Sequence, residues 1–241
     1  MKIVALNGSP RRRNGNTYLI LEEMRKGAEK AGSIMEIINL IDCDINICVG
    51  CFKCWEKKDP RQIKCIFNDD IDMIFEKILN TDILILGTPL HYDNISATLK
   101  IFLERLIQLH TAYIIEKDGK QVHDIAYPMP KIAFLCSCDL PGMYNFDIVS
   151  QYMKKVVWNL NAELIAEIYQ CEARLIQWKS EAINVMIEEN KKVWQNAGYE
   201  LVTDKKISDK TARLLRTPLI PYKYYFRSAN EIADEISAEN N

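Results

Sequence analysis

A chain of 241 residues, 48% hydrophobic and 27% charged, has the make-up of a soluble globular protein with one large domain or two small ones. Its net charge of −2 argues against a general nucleic-acid binder, and no run of about 18 apolar residues is present to cross a membrane. The opening apolar run, Ile3 to Leu6, is too short for a signal peptide. A cytoplasmic protein is expected, where cysteines stay reduced or bind metal.

Residues 2–6 read as a strand. The polar stretch Asn7-Gly8-Ser9-Pro10-Arg11-Arg12-Arg13-Asn14-Gly15-Asn16-Thr17 follows, and then Ile20, Met24, Ala28 and Ala31 mark a helix over 17–31, with Gly32 at its C′ position. Strand, loop and helix in this order deliver backbone N–H groups and a helix N-terminus to one point, which attracts an anion. Gly8 lets the backbone come close to a ligand, Ser9 and Thr17 offer hydroxyls, and the arginines can direct their planar forks at a phosphate. An ordinary turn with a solvated basic run is the bland alternative. The place at the first βα crossover favours the phosphate. The loop is neither G-x-x-x-x-G-K-S/T nor G-x-G-x-x-G.

Residues 34–40 read as the second strand, followed by a long loop from Ile41 to Asn68. Asp69 or Asp70 then caps a helix with Ile71, Ile74, Phe75 and Ile78 inward. Residues 82–86 are nearly all apolar, as in a parallel strand buried on both faces. A polar loop is expected from Thr88 to Ile95, a helix from Ser96 to Leu109, and a further loop from His110 to Pro130 with an Asp118-Gly119 turn. Residues 131–136 and 162–169 are the fourth and fifth strands, with a helix marked by Phe146, Val149, Met153, Val156 and Val157 between them. A long helix from Trp178 to Ala197 is expected to end at Gly198. Strands alternating with helices predict an α/β fold: a flavodoxin-like, doubly wound, five-stranded parallel sheet of order 2-1-3-4-5, with ligands beyond the C-terminal strand ends. Residues 1–198 form this domain. Residues 199–241 read as a helical C-terminal extension for packing or oligomerisation. It has a short helix after Ser208, the aromatic residues Tyr222, Tyr224, Tyr225 and Phe226, and a capping box from Ser228 to Glu231.

Five of the eight cysteines lie between Cys43 and Cys65. Cys48, Cys51 and Cys54 are spaced C-x2-C-x2-C, and Cys65 follows beyond a Pro60 turn. Three thiolates at that spacing can wrap one face of a [4Fe–4S] cube. Zinc is the weaker alternative, because its sites more often use two separated C-x2-C pairs. Free thiols packed by the loop are the third reading. Cys43, Cys136, Cys138 and Cys171 read as ordinary buried or loop cysteines.

Three motifs carry a family resemblance. Gly8-Ser9-Pro10-Arg11 with Asn16-Thr17 resembles the phosphate loop of the NADPH-dependent FMN reductase family, which includes the iron–sulfur flavoproteins. Pro89-Leu90-His91-Tyr92-Asp93-Asn94-Ile95-Ser96-Ala97, continuing to Leu99-Lys100 and Arg105, is similar to the family's P-x-Y-x-x-x-x-S-A run. The third is the cysteine run with Asp69-Asp70 after it. The resemblance covers roughly residues 1–175 and implies bound FMN. Ser9, Arg11, Asn16 and Thr17 would then hold the 5′-phosphate. Pro89, Leu90, His91 and Tyr92 would lie along the isoalloxazine, with Asn94 and Ser96 at its edge, and the loop carrying Ser137 would form the other wall. His91 stands where the family more often has Tyr, and Glu104 replaces the usual Asp before Arg105. In the iron–sulfur flavoproteins the fourth cysteine follows the third closely, whereas here Glu56 to Lys64 intervene, which is a difficulty for Cys48, Cys51, Cys54 and Cys65 as a cluster ligand set.

The expected function is an FMN-dependent NAD(P)H oxidoreductase passing electrons to a small acceptor. The alternative is an iron–sulfur flavoprotein that carries electrons between redox proteins, and a third reading is a non-redox binding protein on the same scaffold. With no second nucleotide loop, NAD(P)H and acceptor would take turns at the flavin, and no catalytic side chain is required. A homo-oligomer is expected, without nucleic acid or membrane as partner.

Overall fold

The computed structural model of the chain describes residues 1–56, 59, 65–178, 180–227 and 229–230. Pro60, and Ser228 and Glu231 of the expected capping box, lie outside the described residues. The strands are β1 (Lys2–Asn7), β2 (Ile34–Asn39), β3 (Ile83–His91), β4 (Asn94–Ile95), β5 (His110–Lys117), β6 (Lys120–Ile125), β7 (Lys131–Ser137) and β8 (Leu164–Gln170). The helices are α1 (Asn16–Lys30), α2 (Ile71–Leu79), α3 (Ala97–Arg105), α4 (Asp147–Asn159), α5 (Glu181–Thr203) and α6 (Asp209–Leu215).

The five long parallel strands run in the order β2-β1-β3-β7-β8, which is the predicted 2-1-3-4-5 order. Strand alternation sorts their side chains into two cores. Val4, Leu6, Leu84, Leu86, Ile132 and Phe134 pack with α2, α3 and α4 on one face. Ile3, Ala5, Ile83, Ile85, Ala133 and Leu135 pack with α1 and α5 on the other. Helices on both faces leave the C-terminal strand edge as the open end of the sheet.

The structure departs from the sequence reading in three places. β3 runs through the expected polar loop to His91, turns at Tyr92 and Asp93 (φ 50° and 61°), and returns as the short antiparallel β4. Two successive left-handed residues form a tight hairpin turn. The segment read as a loop from His110 to Pro130 carries a second hairpin, β5–β6, closed at the expected Asp118-Gly119 turn (φ 51° and 70°). Its strands show no apolar–polar alternation, because Tyr113, Ile114 and Ile115 are all exposed; the period-two signal is therefore lost.

The third departure is at Gly198, which does not end the long helix. α5 continues to Thr203, and Gly198 sits where α5 crosses α1. A Cβ at Gly198 would lie 2.0 Å from the Met24 carbonyl oxygen, and one at Gly27 would lie 1.7 Å from that of Gln195. These glycines permit a backbone-to-backbone crossing; they are not helix breakers here. Gly32, by contrast, ends α1 as expected. At φ +79° its N–H donates to Glu29 O at 2.9 Å, and Ser33 N–H donates to Ala28 O at 3.1 Å, the paired bonds of a Schellman cap. α6 starts at its expected Ser208 cap, whose Oγ accepts from Thr211 N–H at 3.2 Å.

Candidate functional site

The cleft is built outward from the end of β1. Asn7 is fully buried there; its Oδ1 accepts from Ser9 N–H at 3.1 Å and its amide donates to Asn39 Oδ1 at 3.0 Å. Gly8 N–H donates to Gly87 O at 2.7 Å, and Ser96 Oγ donates to Gly8 O at 2.7 Å. A Cβ on Gly8 would meet Leu99 Cβ at 2.8 Å, so only glycine lets the loop press onto α3. A Cβ on Gly15 would stand 2.2 Å from Ser9 Oγ. These contacts fix the loop; the N-terminus of α1 has no side-chain cap, and its first residues, Asn16 and Thr17, line the cleft. No acidic residue stands in that first turn to compete for its amides. Thr17 Oγ1 and Ser137 Oγ lie 2.9 Å apart on the floor, joining α1 to the end of β7.

The cleft has a volume of about 520 Å³, inside the range of roughly 300–1,000 Å³ usual for small-ligand sites. Ser9, Pro10, Arg11, Asn16 and Thr17 line it from the first loop, and Pro89, Leu90 and His91 from the end of β3. Ser137, Cys138 and Asp139 follow β7; Ala173, Arg174, Gln177 and Trp178 follow β8. Of the residues singled out in the sequence, Ser9, Arg11, Asn16, Thr17, Pro89, Leu90, His91 and Ser137 come together here. Tyr92, Asn94 and Ser96 are not among the lining residues. Tyr92 is wholly exposed on its turn, and Asn94 accepts from Ile95 N–H at 2.8 Å within β4. Ser96 is buried as the N-cap of α3 and holds Gly8.

The β8 wall was not anticipated. Arg174 pairs with Asp139 at 2.7 Å, and the Gln177 amide donates to Asn14 O at 3.0 Å and to Asn16 Oδ1, tying this wall to the first loop. The tail supports it from behind. Tyr225 OH donates to Asp139 O at 2.7 Å, and burial pushes its phenol above the ordinary range. Glu172 Oε2 accepts from Leu219 N–H at 2.6 Å and from Ile220 N–H at 3.1 Å. Its Oε1 is buried without a hydrogen-bond partner among the described residues, and burial raises its pKa. These residues belong to no motif. The rule that ligands sit beyond the C-terminal strand ends was the one signal that pointed to β8.

The cysteine loop is a separate feature. Cys48, Cys51, Cys54 and Cys65 all line one small cavity of about 20 Å³, with Arg105 on its wall. Arg105 is buried; its Nη1 donates to Asp69 Oδ2 at 2.6 Å and to Asn46 O at 2.9 Å. Its Nε is buried with no hydrogen-bond partner among the described residues. Burial of Asp69 works against its charge, yet the hydrogen bonds from Arg105 and Asn46 outweigh that and hold its pKa below the ordinary range. Trp55 pins the loop by donating from its indole N–H to Ile107 O at 3.1 Å. Among the described residues, no three Cys, His, Asp or Glu side chains are gathered tightly enough to hold a single metal ion.

The sequence model of the family described as NADPH-dependent FMN reductase matches residues 1–124. The chain belongs to the NADPH-dependent FMN reductase family. It is 37% identical over 105 residues to an iron-sulfur flavoprotein of Methanocaldococcus jannaschii; the match covers 44% of this chain and 51% of that one. An iron-sulfur flavoprotein of Archaeoglobus fulgidus is likewise 37% identical over 105 residues, which cover 48% of it. The chain thus spans about half the length of the curated relatives it matches. The fold is that of the NAD(P)H:quinone oxidoreductase from Methanothermobacter marburgensis, with a TM-score of 0.59 at 18% identity, over 83% of this chain and 98% of that one. An FMN-dependent NADH-azoreductase of Bacillus anthracis, solved with FMN, superposes with a TM-score of 0.59 at 13% identity over 84% and 99%. Against the FMN reductase family's usual Asp, Glu104 points outward and pairs with Lys100 at 2.5 Å, whereas Arg105 is the buried member of the run. No helix among the described residues is long and apolar enough to cross a membrane.

Proposed function

We propose that the protein is an FMN-dependent oxidoreductase that takes electrons from NAD(P)H and passes them to a small acceptor. The observation that carries this reading is the uncapped start of α1, with Asn16 and Thr17 lining a cleft of about 520 Å³ at the C-terminal edge of the sheet. The residues present fit the cofactor. Ser9, Asn16 and Thr17 offer short polar side chains beside the α1 amides, and Arg11 supplies a cation for the 5′-phosphate. Pro89, Leu90 and His91 would border one side of the ring system, and Ser137, Cys138 and Asp139 the other. Bound flavin supplies the electron transfer; the protein supplies position and electrostatics. Arg174, fixed by Asp139, offers guanidinium N–H donors at the rim, where an anionic donor or acceptor would arrive. The cleft is open, so donor and acceptor can alternate over one face, and His91 contributes by position.

FMN-loaded protein should oxidise NADPH or NADH when a quinone or an azo dye is supplied. If FMN is bound and neither nicotinamide is consumed with any acceptor, the oxidoreductase reading fails. We further infer a homo-oligomer in the cytoplasm, in which the exposed Tyr113 and Ile114 of the β5–β6 hairpin and Tyr222, Tyr224 and Phe226 of the tail offer apolar contact area. Residues 199–241 would then serve as an extension that braces the cleft wall through Tyr225 as well as a contact surface. A monomer at micromolar concentration by sedimentation would contradict this.

A second reading is carried by the cysteine cavity: an iron–sulfur flavoprotein with a [4Fe–4S] cluster on Cys48, Cys51, Cys54 and Cys65. The four side chains line one cavity, and the bare Arg105 Nε–H on its wall is a donor suited to a negatively charged group. Protein purified without oxygen should then hold about four iron atoms per chain, lost in Cys51→Ala. Absence of iron in such protein leaves the plain reductase.

A further inference from the structure

Cys138 and Cys171 end two neighbouring parallel strands. The register pairs Ser137 with Gln170, so the next residues along each strand are these cysteines. Cys138 N–H donates to Gln170 O at 2.9 Å and Cys138 O accepts from Ala173 N–H at 2.9 Å, so Cys138 straddles Cys171. The extra residue in that bridge is Glu172, left-handed at φ 55°. Registered neighbours on adjacent strands stand about 4.8 Å apart, within the ~4.4–6.8 Å that a disulfide spans between Cα atoms.

Both side chains are buried in one cluster, and the Cys138 thiol donates to Leu140 O at 2.9 Å. The neighbouring Cys138 and the nearby Gly142 N–H hold the Cys171 thiol below its ordinary range, whereas Cys138 is pushed up by Cys171 and by burial. Cys138 lines the cleft with 6% of its surface exposed. Cys136, two residues back, is wholly buried and does not line it.

We propose that Cys138 and Cys171 are a redox-active dithiol on the wall of the cleft, oxidised to a reversible disulfide by small disulfides of the glutathione class. Cys138 Sγ gives up its proton and attacks one sulfur of the small disulfide RS–SR as the thiolate; that S–S bond breaks and the first RS group leaves and takes up a proton. Cys171 Sγ then attacks Cys138 Sγ, the mixed disulfide breaks and the second RS group leaves. The two thiol protons go to the two RS groups. In net terms, two protein thiols are oxidised to one disulfide and one small disulfide is reduced to two thiols. Asp139, next to Cys138, and Ala173-Arg174, beyond Glu172, line the cleft, so the state of the pair is set directly behind its wall. The proposal does not depend on flavin.

The test uses the full chain and oxidised glutathione. After equilibration, remaining thiols are alkylated under denaturing conditions and the disulfides mapped by peptide mass spectrometry. The expected result is a peptide pair joining residues 138 and 171, reversed by reduced glutathione and retained in Cys136→Ser. In Cys171→Ser the reaction should stop halfway, with one glutathionyl group on Cys138. No 138–171 link in the wild-type chain at full oxidation, or glutathione found only on cysteines 48 to 65, overturns the proposal.

Discussion

Gly198→Ala tests the packing that positions the site. Alanine is the better helix former by about 0.8–1.0 kcal/mol, so in an open helix this change would stabilise α5. Here the new Cβ would lie 2.0 Å from the Met24 carbonyl oxygen, against 3.4 Å for an ordinary contact. The obstacle is backbone on both sides, so no rotamer change relieves it, and the helices must part by more than an ångström. Overpacking of this kind costs ~1–3 kcal/mol where side chains can yield, and the upper end is expected where they cannot. A net loss of about 2–3 kcal/mol should lower Tm by roughly 4–12 °C for a chain of this size. Because α1 carries the first loop at its N-terminus, FMN affinity should fall as well. The assays are urea unfolding and flavin fluorescence titration. The control is Gly32→Ala, which meets no atom within 4 Å and strains only its own φ of +79°. A Gly198→Ala protein as stable as the wild type, or more stable, would refute the close crossing.

Thr17→Ala combined with Arg11→Ala should weaken FMN binding by about 1–3 kcal/mol for each charge-assisted bond lost; unchanged titration would move the phosphate elsewhere. Arg105→Met leaves Asp69 buried without its ion-pair partner and should cost about 3–5 kcal/mol in urea unfolding. The same pair gives a pH signature. Asp69 has a depressed folded pKa, so its contribution is full above its unfolded value of about 3.9 and is lost as pH falls through the folded value. Arg105→Met should flatten that acid-side loss. Glu172 has the opposite sign: burial raises its folded pKa, so stability falls as pH rises from about 4.3 through the raised value. Glu172→Gln keeps an acceptor for Leu219 and Ile220 N–H and should abolish this fall, leaving the variant more stable at neutral pH; an unaltered stability–pH curve would count against it.

The parts of the fold that could be read in advance are those in which local pattern and tertiary role agree. The near-continuous apolar run at 82–86 is a strand buried on both faces, and Gly32 is a helix stop because its φ is positive. Gly198 misled because the same residue serves a crossing with α1, more than 170 residues earlier in sequence, which no local window contains. The β5–β6 hairpin was hidden because its outward residues are apolar, and only its Asp118-Gly119 turn was visible. In the cleft, residues carried by short motifs were legible: Ser9, Thr17 and Pro89 sit on contiguous runs. Arg174, Gln177 and Trp178 enter through a turn whose geometry depends on the left-handed Glu172 and on the tail docking behind it. Ser96 was legible as a motif residue but not in the part it takes in the structure, where it caps α3 and clamps Gly8.

Titration of flavin-free protein with FMN, followed by quenching of flavin fluorescence, tests the central claim most directly. One FMN per chain is predicted, with competition by inorganic phosphate and weakened binding in the Arg11→Ala, Thr17→Ala double variant. A folded protein that takes up no FMN, or takes it up equally well with both residues replaced, would contradict the account.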